Sequence, residues 1–287
     1  MTIIDHKIDF AVVLSVTKAN PNGDPLNGNR PRQNYDGLGE ISDVAIKRKI
    51  RNRLQDMGEP IFVQSNDRSV DDFKSLRERA EANAELLKIL KSKNSSSDGF
   101  ATVACNEWID VRSFGQVFAF KAAGSGAGVS VGVRGPVSIH TATSIDPIDI
   151  TSMQITKSVN SEPGKEKGSD TMGMKHRVDF GLYVFYGSIN TQLAEKTGFT
   201  NEDAEKIKQA LVSLFENDTS AARPDGSMEI HKVFWWEHNS KLGQYSSAKV
   251  HRSLKIESKI DEPKSFEDYS ITVDNLEGLE AEIIDGL

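Results

Sequence analysis

Apolar positions along this chain fall into periodic stretches separated by clusters of turn formers. Ile8 to Thr17 (IDFAVVLSVT) is a dense run of β-branched and apolar residues ending against Asn20-Pro-Asn-Gly-Asp-Pro25, which predicts a strand entering a long irregular loop. Ser42 stands as an N-cap before Val44, Ala45, Ile46, Ile50 and Leu54, apolar positions at helical spacing that stop at Gly58 and Pro60. A second helix is predicted from Ser69 or Asp71 to about Leu90 on the stripe Phe73, Leu76, Ala80, Ala84, Leu87 and Leu90, with a turn-rich exit at Asn94 to Gly99. Val111 to Phe120 and Val129 to Thr141 predict strands on either side of the small-residue loop Ala122 to Gly128. Ser152 to Arg177, with a polar Gly/Pro-marked centre at Asn160 to Asp170 and Met153, Ile155, Met172 and Met174 on its flanks, predicts a projecting hairpin with a mobile tip. Val178 to Ile189 is a strong strand, Thr200 to Asp203 has capping-box spacing before the stripe Ala204, Ile207, Leu211, Leu214 and Phe215, and Met228 to Trp236 is the last strand.

That order predicts an α+β fold, ferredoxin-like or of the RNA-recognition-motif kind, as a single domain over 1–287 with large insertions. Composition agrees with a soluble globular chain: 37% hydrophobic residues and one Cys among 287 residues exclude collagen-like and disulfide-scaffold classes. With no apolar run near the ~20 residues a bilayer needs and no basic-then-apolar signal in Met1 to Lys7, a cytoplasmic protein with no membrane partner is expected. The net charge of −7 conceals an asymmetry: 261–287 carries −8 and the rest +1, while Arg30 to Arg53 is locally +4, enough to interest a polyanion.

Little points to catalysis. The six His residues show no metal-binding spacing, no Gly-x-Ser-x-Gly elbow is present, and Cys105 in the strand-like TVACNEW reads as a buried structural thiol. The Gly-rich stretch 124–128 leads into a strand pattern rather than a helix, so it is not a phosphate loop. No catalytic residue, metal or cofactor is expected. Arg134, beside Gly-Pro at a strand end, reads either as a planar fork for phosphate or as a surface residue.

The stretch Asn20 to Arg32, with amides such as Asn20 and Asn22 and the bases Arg30 and Arg32, leads into a helix bearing Ser42, Lys47, Arg48 and Arg51. Lys47 and Arg51 are four residues apart and share one face, so loop and helix form a candidate cradle for successive phosphates.

That pattern, with Val111-Arg-Ser-Phe-Gly-Gln-Val-Phe118, Gly132-Val-Arg-Gly-Pro-Val137 and Met172-Gly-Met-Lys-His176 before Asp179-Phe-Gly-Leu-Tyr183, resembles the Cas-seven family, the CRISPR RNA-binding backbone subunits of type I Cascade, and looks closest to its type I-C branch. The resemblance runs to about Trp236. It implies a non-enzymatic subunit of antiviral defence that polymerises along the CRISPR RNA with other copies of itself and other Cascade subunits, presenting guide bases to target DNA. It also implies a hand-like shape: a palm of the RNA-recognition-motif kind, a helical finger insertion at about 60–110 and a β-hairpin thumb at about 150–178.

Carried over position by position, the RNA-contacting residues of the palm match Arg30, Ser42, Lys47 and Arg51, with Arg48 and Arg134 as further candidates. The thumb contributes Lys157, Met172, Lys175 and His176. Val44 stands where some relatives have Gln, so an amide contact there is not implied. Trp235-Trp236, expected to be exposed, the acidic segment 261–287 and the thumb are candidate contacts between copies. Two other readings remain: a type III-like ribonuclease cutting target RNA with a loop aspartate, Asp24 or else Asp36, and a monomeric RNA binder stacking bases on Phe180, Tyr183, Phe185 and Tyr186.

Overall fold

β1 (Ile8–Ala19) is buried on both faces, and that sets the architecture: Phe10, Val12, Leu14 and Val16 enter one core while Ala11 and Val13 enter another. The computed structural model describes residues 2–92, 97–120, 129–156 and 172–287. After β1 come β2 (Gly23–Asp24), β3 (Arg30–Gln33), β4 (Leu38–Ile41) and α1 (Asp43–Asp56). A helical stretch follows, α2 (Leu76–Ala82), α3 (Ala84–Lys91), α4 (Ser97–Glu107) and α5 (Ile109–Phe114), then β5 (Gly115–Phe120) and β6 (Val129–Arg134). β7 (Val137–Ile139), β8 (Ala142–Pro147), β9 (Ile150–Thr156) and β10 (Met172–Ile189) lead to α6 (Thr191–Thr197) and α7 (Asn201–Val212). β11 (Met228–Glu237), α8 (Ser247–Ser253), β12 (Leu254–Ser258), β13 (Tyr269–Val273) and β14 (Ala281–Asp285) complete the chain.

The main sheet has the order β14-β11-β1-β10-β8-β4-β3-β2, with β7 and β9 also pairing β10. β1 runs antiparallel to both neighbours, Phe10 facing Gly187 on one side and Trp235 on the other. One face is covered by α1 through Ile46, Ile50 and Leu54 and by α7 through Ile207 and Leu211. The opposite face is covered by Val250 of α8 with Leu254, Tyr269, Leu276 and Leu279. A third core lies under the helical stretch, where Phe62 packs against Trp108 and Phe118 at ring-centroid distances of 4.6 and 5.1 Å.

Several expectations hold at the level of residues. Ser42 caps α1, its hydroxyl accepting from the Ala45 amide, and Thr200 and Asp203 form the reciprocal capping box of α7. β9 and β10 pair as the two arms of the expected hairpin, Met172 opposite Thr156. The polar centre at 160–170 and the small-residue loop 122–128 lie outside the described residues.

Others are corrected. The second helix starts only at Leu76 and is cut at Asn83, whose side chain accepts from the Glu85 and Leu86 amides and so caps a new helix; Leu86 rather than Leu87 is its buried leucine. Ser97 to Gly99 belong to α4, not to a turn, and Cys105 lies on that helix, not on a strand. Val111 to Phe114 are helical, and Gly115 at φ +78° turns the chain into β5, where a Cβ would strike the Val133 carbonyl. Gly135-Pro136 splits the predicted strand at 129–141 into β6 and β7. Trp235 and Trp236 are each 1% exposed, buried in opposite cores by the period-2 alternation of β11. The acidic terminal segment, whose order the sequence leaves open, ends in β14, which pairs β11, and Lys208 and Lys232 hold Glu282 and Asp285.

Candidate nucleic-acid interface

The loop after β1 is held by its own amides. Asn20 Nδ2 donates to the Asn29 carbonyl at 2.7 Å, Gly28 takes a left-handed turn, and Asn22 Oδ1 accepts from the Ser42 amide at 2.9 Å. Asn22 therefore ties the loop to the start of α1. Asn20 is 5% exposed, which corrects the expectation of an exposed amide: its Nδ2 closes the loop, while its Oδ1 is buried without a hydrogen-bond partner among the described residues.

The loop places Arg30 on β3 against the base of the hairpin. Arg30 Nη1 donates to Ser152 Oγ at 2.9 Å, and His176 Nδ1 lies 2.8 Å from the same oxygen. The hydroxyl can accept from Arg30 and give its own proton to Nδ1, which leaves the ring proton of His176 on Nε2. Two residues 146 apart in sequence are thereby joined through Ser152, which no pattern in the sequence marks out. Arg32, two positions along β3, lies 3.6 Å from Asp24, and Asp24 also accepts from the Leu26 amide. Asp24 is thus the cap of a short turn and the partner of a cation. Asp36 is exposed on the next turn, its amide donating to Asn34.

The register of the hairpin divides the remaining candidates. Met172, Met174 and His176 share one face with Thr156, Gln154 and Ser152, while Lys175 lies opposite Met153 on the reverse face. Met172 and Met174 are 66% and 56% exposed, an apolar pair on the same face as the Arg30 junction. Lys157 lies outside the described residues. Arg134 is exposed on β6, and among the described residues no hydrogen bond or ion pair links it to the others.

The helix is less open than its charges suggest. Lys47 pairs with Asp43 at 3.0 Å one turn away and remains at the surface. Arg48 donates to the Val63 carbonyl at 2.6 Å, and its burial, with Arg51 nearby, pushes its pKa down. Arg51 Nε donates to Asp110 Oδ2 at 2.9 Å, and the guanidinium lies over the Phe114 ring. Lys47 and Arg51, expected to clamp successive phosphates together, each carry a carboxylate partner: Lys47 is 25% exposed and pairs with the half-exposed Asp43, whereas Arg51 is 12% exposed and pairs with the buried Asp110. Asp110, missed in the sequence, is the anchor of that arrangement.

Around this basic surface Leu26, Tyr35 and Val44 are exposed, Tyr35 fully so at the tip of the β3–β4 turn. Among the described residues no group of three or more His, Cys, Asp or Glu could hold a metal ion, and no helix is long and apolar enough to cross a membrane. The chemistry on offer is binding: planar cations, amides and exposed apolar side chains around an Arg30–Ser152–His176 junction.

Comparison with known proteins adds a family. The family model described as CRISPR-associated protein Cas7 matches residues 6–274. A CRISPR-associated protein Cas7 of Haloferax volcanii is 24% identical over 229 residues, covering 75% of this chain; the chain spans 66% of that relative's length. Among solved structures, a chain described as "CRISPR RNA-guided surveillance complex, pre-nicking" superposes with a TM-score of 0.48 at 17% identity, over 80% of this chain and 78% of that one. A second, described as "CRISPR RNA-guided surveillance complex", gives 0.45 at 16% identity, over 80% and 68%.

Proposed function

This chain belongs to the family of CRISPR-associated protein Cas7, and from that premise we propose that it is a CRISPR RNA-binding backbone subunit of a type I-C-like Cascade complex. Several copies line up along one guide RNA beside other Cascade subunits in the cytoplasm. They hold its backbone and leave its bases to pair with target DNA. Within each copy, β1, α1, β7–β8, β10, α7 and β11 make a ferredoxin-like, RNA-recognition-motif palm. The antiparallel order β11-β1-β10-β8 with both helices on one face supports that reading. The stretch 60–110 serves as the finger and 150–178 as the thumb of a single domain.

The observation that carries the proposal is the junction of Arg30 with His176 through Ser152. It joins the basic loop to the hairpin, far apart in sequence, and the same loop is tied through Asn22 to Ser42 at the start of α1, which supports reading loop, hairpin and helix start as one interface. Arg30, Arg32, Lys47 and His176 contact phosphates, while Met172 and Met174 meet bases turned out of the stack. Asp24 serves the loop as cap and ion partner, which supports holding RNA rather than cutting it.

Filter binding of a single-stranded RNA to the full chain across a salt series tests this. Arg30→Ala with Lys47→Ala weakens binding to every sequence alike and flattens the salt slope by ~0.7 for each phosphate that is no longer neutralised. An unchanged slope in that double variant removes the cradle from this surface.

A further inference from the structure

The sheet face away from α1 and α7 carries opposite charges at its two ends. At one end a cavity of about 610 Å³ lies beside Gly181 of β10, with Phe180 and Tyr269 in its walls. Asp146, Asp149, Asp179, Asp261 and Glu262 line it against Lys18 and Lys264. Arg177, 3.6 Å from Asp179, supplies one more cation, so carboxylates stay in excess, and Asp268, which accepts the Lys264 amide, adds a further acid.

At the other end, about 20 Å along β10 from Gly181, His251 Nε2 of α8 lies 3.1 Å from the Gly187 carbonyl. The chain from His238 to Ile256 holds Lys241, Lys249, Arg252 and Lys255 and no acid. Lys241 and Lys255 have Glu195 and Asp274 beside them. Lys249 and Arg252, exposed and one turn apart on α8, have no carboxylate partner among the described residues.

Cavity and α8 thus match in charge, yet one copy cannot bring them together. A second copy can. β1 ends at Ala19 opposite Val178, and beyond that pair the β9–β10 hairpin runs on past the sheet. The hairpin therefore leaves from the cavity's end: Asp149 and Asp179, joined by a backbone hydrogen bond of 3.0 Å, stand at its base. A neighbour aligned the same way and placed under the hairpin presents its α8 to the cavity.

We propose that this cavity receives Arg252 and Lys249 of the next copy, the Arg252 guanidinium entering beside Phe180 and Tyr269 to meet the unmatched carboxylates. Aromatic rings and carboxylates together suit a planar, always charged group. Because the two surfaces differ, the contact does not close as a pair but continues as a row. The inference deepens the reading of several copies on one RNA and rests on it.

The test counts copies per RNA by native mass spectrometry of the assembly purified with its operon partners, in wild type, Arg252→Glu, Asp261→Lys and the variant with both changes; denaturation midpoints verify folding. A bismaleimide cross-link between full chains carrying Arg252→Cys and full chains carrying Asp261→Cys, mixed on poly-uridine, reads the contact directly, with wild type as the background for the buried Cys105. The expected result is loss of copies in each single reversal, return of the wild-type number in the double variant, and cross-linking in the mixture alone. A wild-type copy number in both single reversals, no rescue by the double, or no cross-link in the mixture overturns the proposal; several copies in wild type then leave the multi-copy reading standing. Loss of a different subunit from Asp261→Lys with the copy number kept overturns it too, and gives the cavity to that subunit. One copy per RNA in wild type removes both the contact and the reading it rests on.

Discussion

Arg51 is bolted to Asp110: Nε donates to Oδ2 at 2.9 Å, and the carboxylate, 59 residues away, is fully buried. The same carboxylate accepts the amides of Phe62 and Val63 at 2.8 and 3.1 Å, so one acid joins α1 to the chain entering the helical insertion. A cation placed on the surface by its spacing thus serves mainly as an internal strut.

Arg51→Met therefore acts through stability. Removing one partner of a buried pair leaves Asp110 uncompensated and costs about 3–5 kcal/mol. Urea denaturation of the full chain checks this. A loss under 1 kcal/mol would mean that Arg51 is free for a ligand after all.

Lys47→Ala behaves the opposite way. Its pair with Asp43 is a surface contact within one helix turn, so stability changes by about 0.5 kcal/mol or less, while RNA affinity falls and the salt slope drops by ~0.7. Parallel denaturation and binding curves separate the two effects.

Ser152→Ala removes the hydroxyl that joins Arg30 to His176. One half-exposed hydrogen-bonded junction is worth about 1 kcal/mol of stability, so the melting temperature falls by about 2–4 °C, and RNA binding weakens because Arg30 and His176 lose their common anchor. Wild-type affinity in this variant would show that the junction does not shape the binding surface.

Cys105 provides a pH signature. Burial pushes its thiol up to about 11 from an ordinary value near 9, so above pH 9 the unfolded chain releases a proton that the folded chain keeps. Its contribution is constant below about pH 9 and is lost as pH rises toward 11, a fall of about 2–3 kcal/mol across that window. Denaturation at pH 8 and pH 10.5 shows a steeper loss in wild type than in Cys105→Ala; equal slopes would place the thiol in contact with water.

Asp24→Ala tests the competing enzymatic reading. Incubated with single-stranded RNA and divalent cations, wild type and variant leave the RNA intact. Metal-dependent cuts that vanish in the variant would make Asp24 catalytic.

Where local chemistry decides structure, the chain was legible. The β-branched density of Ile8 to Thr17, the Ser42 cap and the Thr200–Asp203 box each act within a few residues, and each is found where its pattern put it. Where a distant partner decides, it was not. Gly115 ends a helix where the Val133 carbonyl leaves no room for a Cβ, whereas Asn83 breaks one by a cap as local as that of Ser42, hidden inside an apolar stripe that runs through it. Trp235 and Trp236 looked like a surface pair because nothing in their neighbours announces that β11 has a core on each face.

The candidate site shows the same division. Arg30 and His176 were marked by residue type, but Ser152, which joins them, and Asp110, which withdraws Arg51, are ordinary residues made important by contacts across 122 and 59 positions. Charge type is written in the sequence; whether a charge is free to meet a ligand depends on partners that only the fold brings near.

The central claim is that this chain lines a guide RNA in several copies. Native mass spectrometry of the protein purified with its operon partners, without nuclease treatment, reads copy number and RNA content together. Several copies on one RNA of uniform length are the predicted result; a monomer free of RNA in the presence of those partners would contradict it.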